Sequence, residues 1–105
     1  MSISKKNAIV TGASTGLGKH ISIKLSQNNY HVFLIARNIE KLELVKNNIL
    51  DDGGDCSVFS ADISNDDDID KISRVVDKIA QVDVLVNNAG IGIFNKIENT
   101  SVDEW

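Results

Sequence analysis

Residues 7–11 form a short apolar run that ends at Gly12, and a loop carrying Gly12, Gly16 and Gly18 leads from it straight into a helical pattern. This strand, glycine loop and helix constrain the fold more than any other segment. A short apolar run closed by a turn reads as a strand buried on both faces, and such strands belong to parallel sheets covered by helices. The alternation continues along the chain. Residues 30–36, apolar nearly throughout, read as a second strand, residues 56–61 as a third and residues 82–86 as a fourth. Between them the apolar spacing turns helical. Leu17, Ile21 and Leu25 mark one face of the first helix, and Leu42, Val45 and Ile49 one face of the second, over residues 38–51. Ile69, Ile72, Val76 and Ile79 do the same for a third helix over residues 66–80. Asn28-Asn29 and Gly53-Gly54 end the first two helices, and Asn38 caps the start of the second. Ser101 and Glu104 have the spacing of a capping box that begins a further helix.

Strands joined by helical crossovers imply a parallel sheet with right-handed connections. The expectation is therefore one α/β domain over residues 1–105, a doubly wound parallel sheet of four strands in the order 3-2-1-4. The first two helices then cover one face and the third helix the other. Ligands of such sheets bind at the carboxyl ends of the strands, where the order reverses between strands 1 and 4. The loops after Thr11 and after Val86 flank that point.

Composition removes several classes of partner. Asp and Glu outnumber Lys and Arg by 15 to 11 with no basic block, which argues against nucleic acid. No apolar run approaches the roughly 20 residues that cross a bilayer, and residues 1–6 lack an apolar signal segment. A single cysteine, Cys56, excludes an internal disulfide framework and fits the reducing cytoplasm. In a strand it reads as a small buried hydrophobe. No metal site is expected. Asp66, Asp67 and Asp68 fall in the first turn of a helix, where carboxylates suit the positive end of the dipole. His20 and His31 have no carboxylate or cysteine at ligand spacing, which favours surface or packing roles.

The glycine loop carries the chemistry. Glycine adopts positive φ and lets a backbone approach a ligand closely, while a helix N-terminus offers free N–H groups and partial positive charge to a phosphate. Two common phosphate loops do not fit. A P-loop ending in Gly18-Lys19 needs glycine where Ala13 stands and Ser or Thr where His20 stands. The usual dinucleotide fingerprint places glycine first, third and sixth, whereas Gly12, Gly16 and Gly18 stand first, fifth and seventh.

That spacing, Thr-Gly-x-x-x-Gly-x-Gly from Thr11 to Gly18, resembles the short-chain dehydrogenase/reductase family of nicotinamide-dependent oxidoreductases. Asn87-Asn88-Ala89-Gly90 matches the family's Asn-Asn-Ala-Gly motif after strand 4, and Asp62 matches a looser position after strand 3. The resemblance covers essentially the whole chain. It implies a Rossmann-like fold whose cofactor lies against Gly12, Ser14, Thr15, Gly16, Leu17 and Gly18. It further implies that the Asp62 carboxylate accepts from the adenine amino group, with Ile63 beside it. Asn87 and Asn88 brace the strand ends, and Ala89 and Gly90 leave room beside the nicotinamide ribose. A turn at the entry to the third helix is the competing reading of Asp62.

The end of strand 2 bears on cofactor choice. An acid there binds ribose hydroxyls and selects NAD(H), but the segment reads Leu34-Ile35-Ala36-Arg37-Asn38. Ala36 takes the acidic position, and the Arg37 guanidinium suits a 2′-phosphate that a carboxylate would repel. The reading favours NADP(H) over NAD(H). One departure is Thr15, where some NADP-binding relatives carry a second base before the middle glycine.

The residues of hydride chemistry are missing. The family supplies a Ser and a Tyr-x-x-x-Lys pair, whereas the lone tyrosine here, Tyr30, opens a strand and is followed four places on by Leu34. No catalytic residue is assigned. The chain is expected to be the amino-terminal, cofactor-binding half of a longer reductase acting on a carbonyl or alcohol, and inactive alone. An NADP(H)-binding module without catalysis and a non-functional truncated product are the alternatives. The longer parent is expected to be a homo-oligomer, and this chain to self-associate through the open edge of strand 4.

Overall fold

Strands with apolar side chains on both faces need cover from both sides, and the computed structural model, which describes residues 5–62, 65–79 and 81–88, supplies it. The order along the chain is β1 (Lys6–Thr11), α1 (Gly16–Gln27), β2 (Tyr30–Ala36), α2 (Ile39–Asp51), β3 (Asp55–Ser60), α3 (Asp66–Lys78) and β4 (Val84–Asn87). The four strands form one parallel sheet in the order β3-β2-β1-β4, as the alternation of segments requires. Pairing runs from Lys6 opposite Tyr30 to Thr11 opposite Ile35, and Thr11 also lies opposite Asn87. On the other side Ala36 lies opposite Ser60. Thr11, Ala36, Ser60 and Asn87 therefore end their strands along one edge of the sheet.

Alternate side chains of each strand feed two cores. Ile9, Ile35, Ala61, Ile72 and Val76 pack together on the α3 side, with Phe33, Phe59, Ile79 and Leu85 around them. Val10, Val32, Leu34, Leu42, Val45 and Ile49 form the other core beneath α1 and α2. Tyr30 and Cys56 are partly buried against this second core, as packing residues. Burial pushes the Cys56 thiol pKa up, which keeps it protonated and unreactive. The last strand starts later than its apolar run suggests. Val82 precedes it, and Asp83 clips its entry to β1 by accepting the Asn7 N–H on its carboxylate at 2.8 Å.

The first helix departs from the apolar stripe. Its buried residues are Gly18, Ser22 and Ser26, while Leu17 is 63% exposed and Ile21 and Leu25 are only half-buried. Small residues four apart let the helix backbone come close to the loop and strands, and that contact wins over the leucine stripe. The buried hydroxyls are satisfied locally, Ser22 Oγ donating to the Gly18 carbonyl and Ser26 Oγ to that of Ile23, both at 2.7 Å.

His31 also corrects the sequence reading. The parallel register sets it opposite Asp55, and the Asp55 Oδ2 lies 2.7 Å from Nδ1 while Ser57 Oγ lies 2.9 Å from Nε2. A separation of 24 residues hides this partner from any local spacing rule. The His31 hydrogen bond is the largest influence on the Asp55 carboxyl and holds its pKa below the ordinary 3.8. A carboxyl whose pKa is lower folded than unfolded adds stability above its unfolded pKa, and loses it as the pH falls through the folded value. The carboxylate is half-exposed, so the contribution is below about 1 kcal/mol. Asp55→Asn should lower the urea midpoint at neutral pH, and the difference from the unsubstituted chain should shrink as the pH falls below the ordinary carboxylate value and through the lowered folded one. A difference that persists in acid would assign the loss to packing.

Candidate functional site

The glycine loop takes its shape from two requirements. Gly16 has φ +55°, a left-handed backbone that side chains other than glycine rarely adopt. Gly18 meets a steric limit instead. A Cβ there would stand 2.0 Å from the Gly12 carbonyl oxygen and 3.0 Å from Asn88 Nδ2. The first turn of α1 thus rests on the loop's own backbone. From the far side Asn88 Nδ2 donates to the same Gly12 carbonyl at 3.4 Å, and Thr11 Oγ1 reaches Asn87 Oδ1 at 3.3 Å. The two sequence motifs, 76 residues apart, meet at one carbonyl.

The three helices begin differently. At α2 the Asn38 side chain accepts the Lys41 N–H at 3.1 Å, and at α3 Asn65 accepts the N–H groups of Asp67 and Asp68. Their first turns also carry acids, Glu40 in α2 and Asp66, Asp67 and Asp68 in α3. At α1 the N-cap residue Thr15 makes no such bond, and the first turn holds no acid. The positive end of α1 therefore has neither a side-chain cap nor an acid in its first turn, against the glycine loop.

Next to it opens a cleft of about 530 Å³ lined by Gly12, Ser14 and Thr15 from the loop, Ile35 to Asn38 and Lys41 from β2 and α2, and Ala61 and Asp62 after β3. Ala36 brings no charge to its wall. The Arg37 backbone is pinned by Ser60 Oγ, which donates to its carbonyl at 2.9 Å, while its side chain is exposed and forms no ion pair among the described residues. Asp62 belongs both to the cleft and to the turn into α3. It lines the cleft half-buried, and its carbonyl accepts the Asn65 N–H at 2.9 Å in the turn into α3.

Of the residues singled out from sequence, Gly12, Ser14, Thr15, Arg37 and Asp62 come together around this cleft. Gly16, Leu17, Gly18, Asn87 and Asn88 continue from the loop toward β4. Ile63, Ala89, Gly90 and the capping box of Ser101 and Glu104 lie outside the described residues. Sequence reasoning passed over Lys41. Its one local signal is a cation at the third residue of a helix capped by Asn38, where an acid is favoured. Replacing Gly18 by Ala should separate α1 from the loop and lower stability by about 1–3 kcal/mol, as overpacking does. Chemical denaturation reads the effect, and an unchanged midpoint would mean that the Gly12 carbonyl yields freely.

The family model for short chain dehydrogenase matches residues 6–105. An uncharacterized oxidoreductase of Staphylococcus epidermidis is 34% identical over 98% of this chain and 44% of its own length. A fatty acyl-CoA reductase of Acinetobacter baylyi is 40% identical over 84% of this chain and 30% of its own. The chain thus spans less than half the length of these curated relatives. Among solved structures, a metagenomic short-chain oxidoreductase in complex with NADP superposes with a TM-score of 0.76 at 41% identity, over 81% of this chain and 39% of that one. An actinorhodin polyketide ketoreductase with NADPH gives 0.75 at 32% identity, over 82% and 33%. Loop spacing, strand order and a match over residues 6–105 together make this chain a member of the short-chain dehydrogenase family of oxidoreductases.

Proposed function

We propose that the chain is the NADP(H)-binding part of a short-chain reductase that moves hydride between NADP(H) and a carbonyl or alcohol. The observation that carries this reading is the uncapped, acid-free start of α1 beside a cleft whose far wall bears Arg37 and no acid at Ala36. The pyrophosphate sits at the Gly12 to Gly18 loop, Arg37 holds the 2′-phosphate, and Asp62, with Ile63 beside it, takes the adenine. Asn87 and Asn88 brace the loop, leaving Ala89 and Gly90 beside the nicotinamide ribose. When bound, the nicotinamide supplies the hydride. The charge at the end of β2 supports NADP(H) over NAD(H), as do two neighbours solved with NADP and NADPH.

These 105 residues hold no Tyr-x-x-x-Lys pair, and Tyr30 is a packing residue of the second core. The chain therefore binds cofactor without turning it over, and the parent's proton-donating residues lie elsewhere. A binding module without catalysis is the second reading, favoured by the same missing pair. The lone Cys56 fits a cytoplasmic setting. Among the described residues no helix is long and apolar enough to cross a membrane, and no cluster of His, Cys, Asp and Glu is fit to hold a metal.

Fluorescence titration with NADPH tests the reading. The chain should bind saturably, and Arg37→Asp should weaken NADPH by on the order of 1.5–3 kcal/mol, at least about tenfold, while sparing NADH. NADPH affinity indifferent to Arg37 at moderate salt would remove the guanidinium from the site. Incubation with ketones and aldehydes should leave NADPH unconsumed, and measurable turnover would overturn the non-catalytic assignment. The parent is a homo-oligomer in this reading. The isolated chain, with β4 paired only to β1 among the described residues, should sediment as concentration-dependent assemblies; a stable monomer would count against that.

A further inference from the structure

We infer that Lys41 is a second phosphate-binding cation of the cleft and, with Arg37, sets the preference for a 2′-phosphorylated nucleotide. The inference rests on the cofactor reading above and adds to it a residue that no motif marks. Lys41 lines the same cleft as Arg37, with the hydroxyls of Ser14 and Thr15 on the loop wall and the Asp62 carboxyl, assigned to the adenine, after β3.

Its position is costly to the free protein. Lys41 is the third residue of α2, after the Asn38 cap, with its own N–H held by the Asn38 side chain at 3.1 Å. A cation there opposes the helix dipole and displaces the acid that would complete a capping box. The start of α3 shows the favourable arrangement, with Asn65 at the cap and Asp68 at the matching place. Arg37 stands just before the Asn38 cap and Lys41 three residues after it, so two like charges face one cleft, which is also unfavourable.

Neither cation has a carboxylate at the helical spacing that pairs the other lysines of the described helices. Lys46 pairs with Glu43 and Lys71 with Asp68, each three residues back, whereas the place three residues before Lys41 is the neutral Asn38. Leu44 and Val45 occupy the next turn. Among the described residues, neither Arg37 nor Lys41 forms an ion pair. A dianionic phosphate between them answers the helix dipole and the mutual repulsion at once. Local rules broken without local compensation mark functional positions. A nucleotide ending in a bare ribose hydroxyl gives no such relief, so the pair discriminates by charge.

The test is nucleotide binding, followed by NADPH and NADH fluorescence on the chain itself and on Lys41→Gln, Lys41→Arg and Lys41→Glu. Lys41→Gln should raise the NADPH Kd by about five- to tenfold and leave the NADH Kd within about twofold, as loss of one charge-assisted contact predicts. Lys41→Arg should keep the preference. Lys41→Glu should abolish it and yet raise the ligand-free melting temperature by a few degrees, because it puts an acid at the third position after the Asn38 cap. NADPH affinity unmoved by Lys41→Gln, or NADH weakened equally, overturns the role of Lys41 and leaves the cofactor reading standing if Arg37→Asp still discriminates. Failure of the unsubstituted chain to bind either nucleotide overturns both.

Discussion

The Gly12 carbonyl is the point on which the arrangement depends. The first turn of α1 sits so close to it that only a missing side chain at Gly18 leaves room, and Asn88 donates to it from beyond β4. This contact fixes where the helix begins relative to the sheet edge. It also joins the loop after β1 to the end of β4, across the point where strand order reverses. An N-terminus directed by a steric contact is pre-oriented, so its N–H groups need not be ordered when an anion arrives.

The helix ends divide the labour. Asparagine caps and acidic first turns settle α2 and α3 from within, whereas α1 is left unsettled where the cleft begins. The entry to α2 combines both patterns. Asn38 caps it well, yet Arg37 and Lys41 on either side of that cap set positive charge against the positive end of a dipole. Stability is conceded at two neighbouring helix starts, and both line one cleft or the loop beside it.

Much of this was legible in the chain. Strand 2 and the buried face of the second helix came through unchanged, because apolar runs and helical spacing are local properties. The start of strand 4 moved two residues along the chain, since Val82 is as apolar as a strand residue but Asp83 is engaged with Asn7. The first helix misled. Its leucines and isoleucine mark an apolar face, but Gly18, Ser22 and Ser26 can approach the loop more closely, and the close contact decides the rotation of the helix. Hydrophobic periodicity ranks side chains by transfer energy and carries no information on which face tolerates a short interaxial distance.

Taken alone, the amino-acid order determined the α/β alternation, the strand order, the glycine loop and the family, because each is written in residue type and short spacing. Register and packing decided the rest. They put Asp55 on His31, brought Asn88 to Gly12 and set Lys41 beside Arg37 in one cleft. The first two join residues 24 and 76 positions apart, and only a folded sheet brings such residues within bonding distance. Lys41 is close to Arg37 in sequence, but that they face the same cavity is a property of how α2 leaves β2.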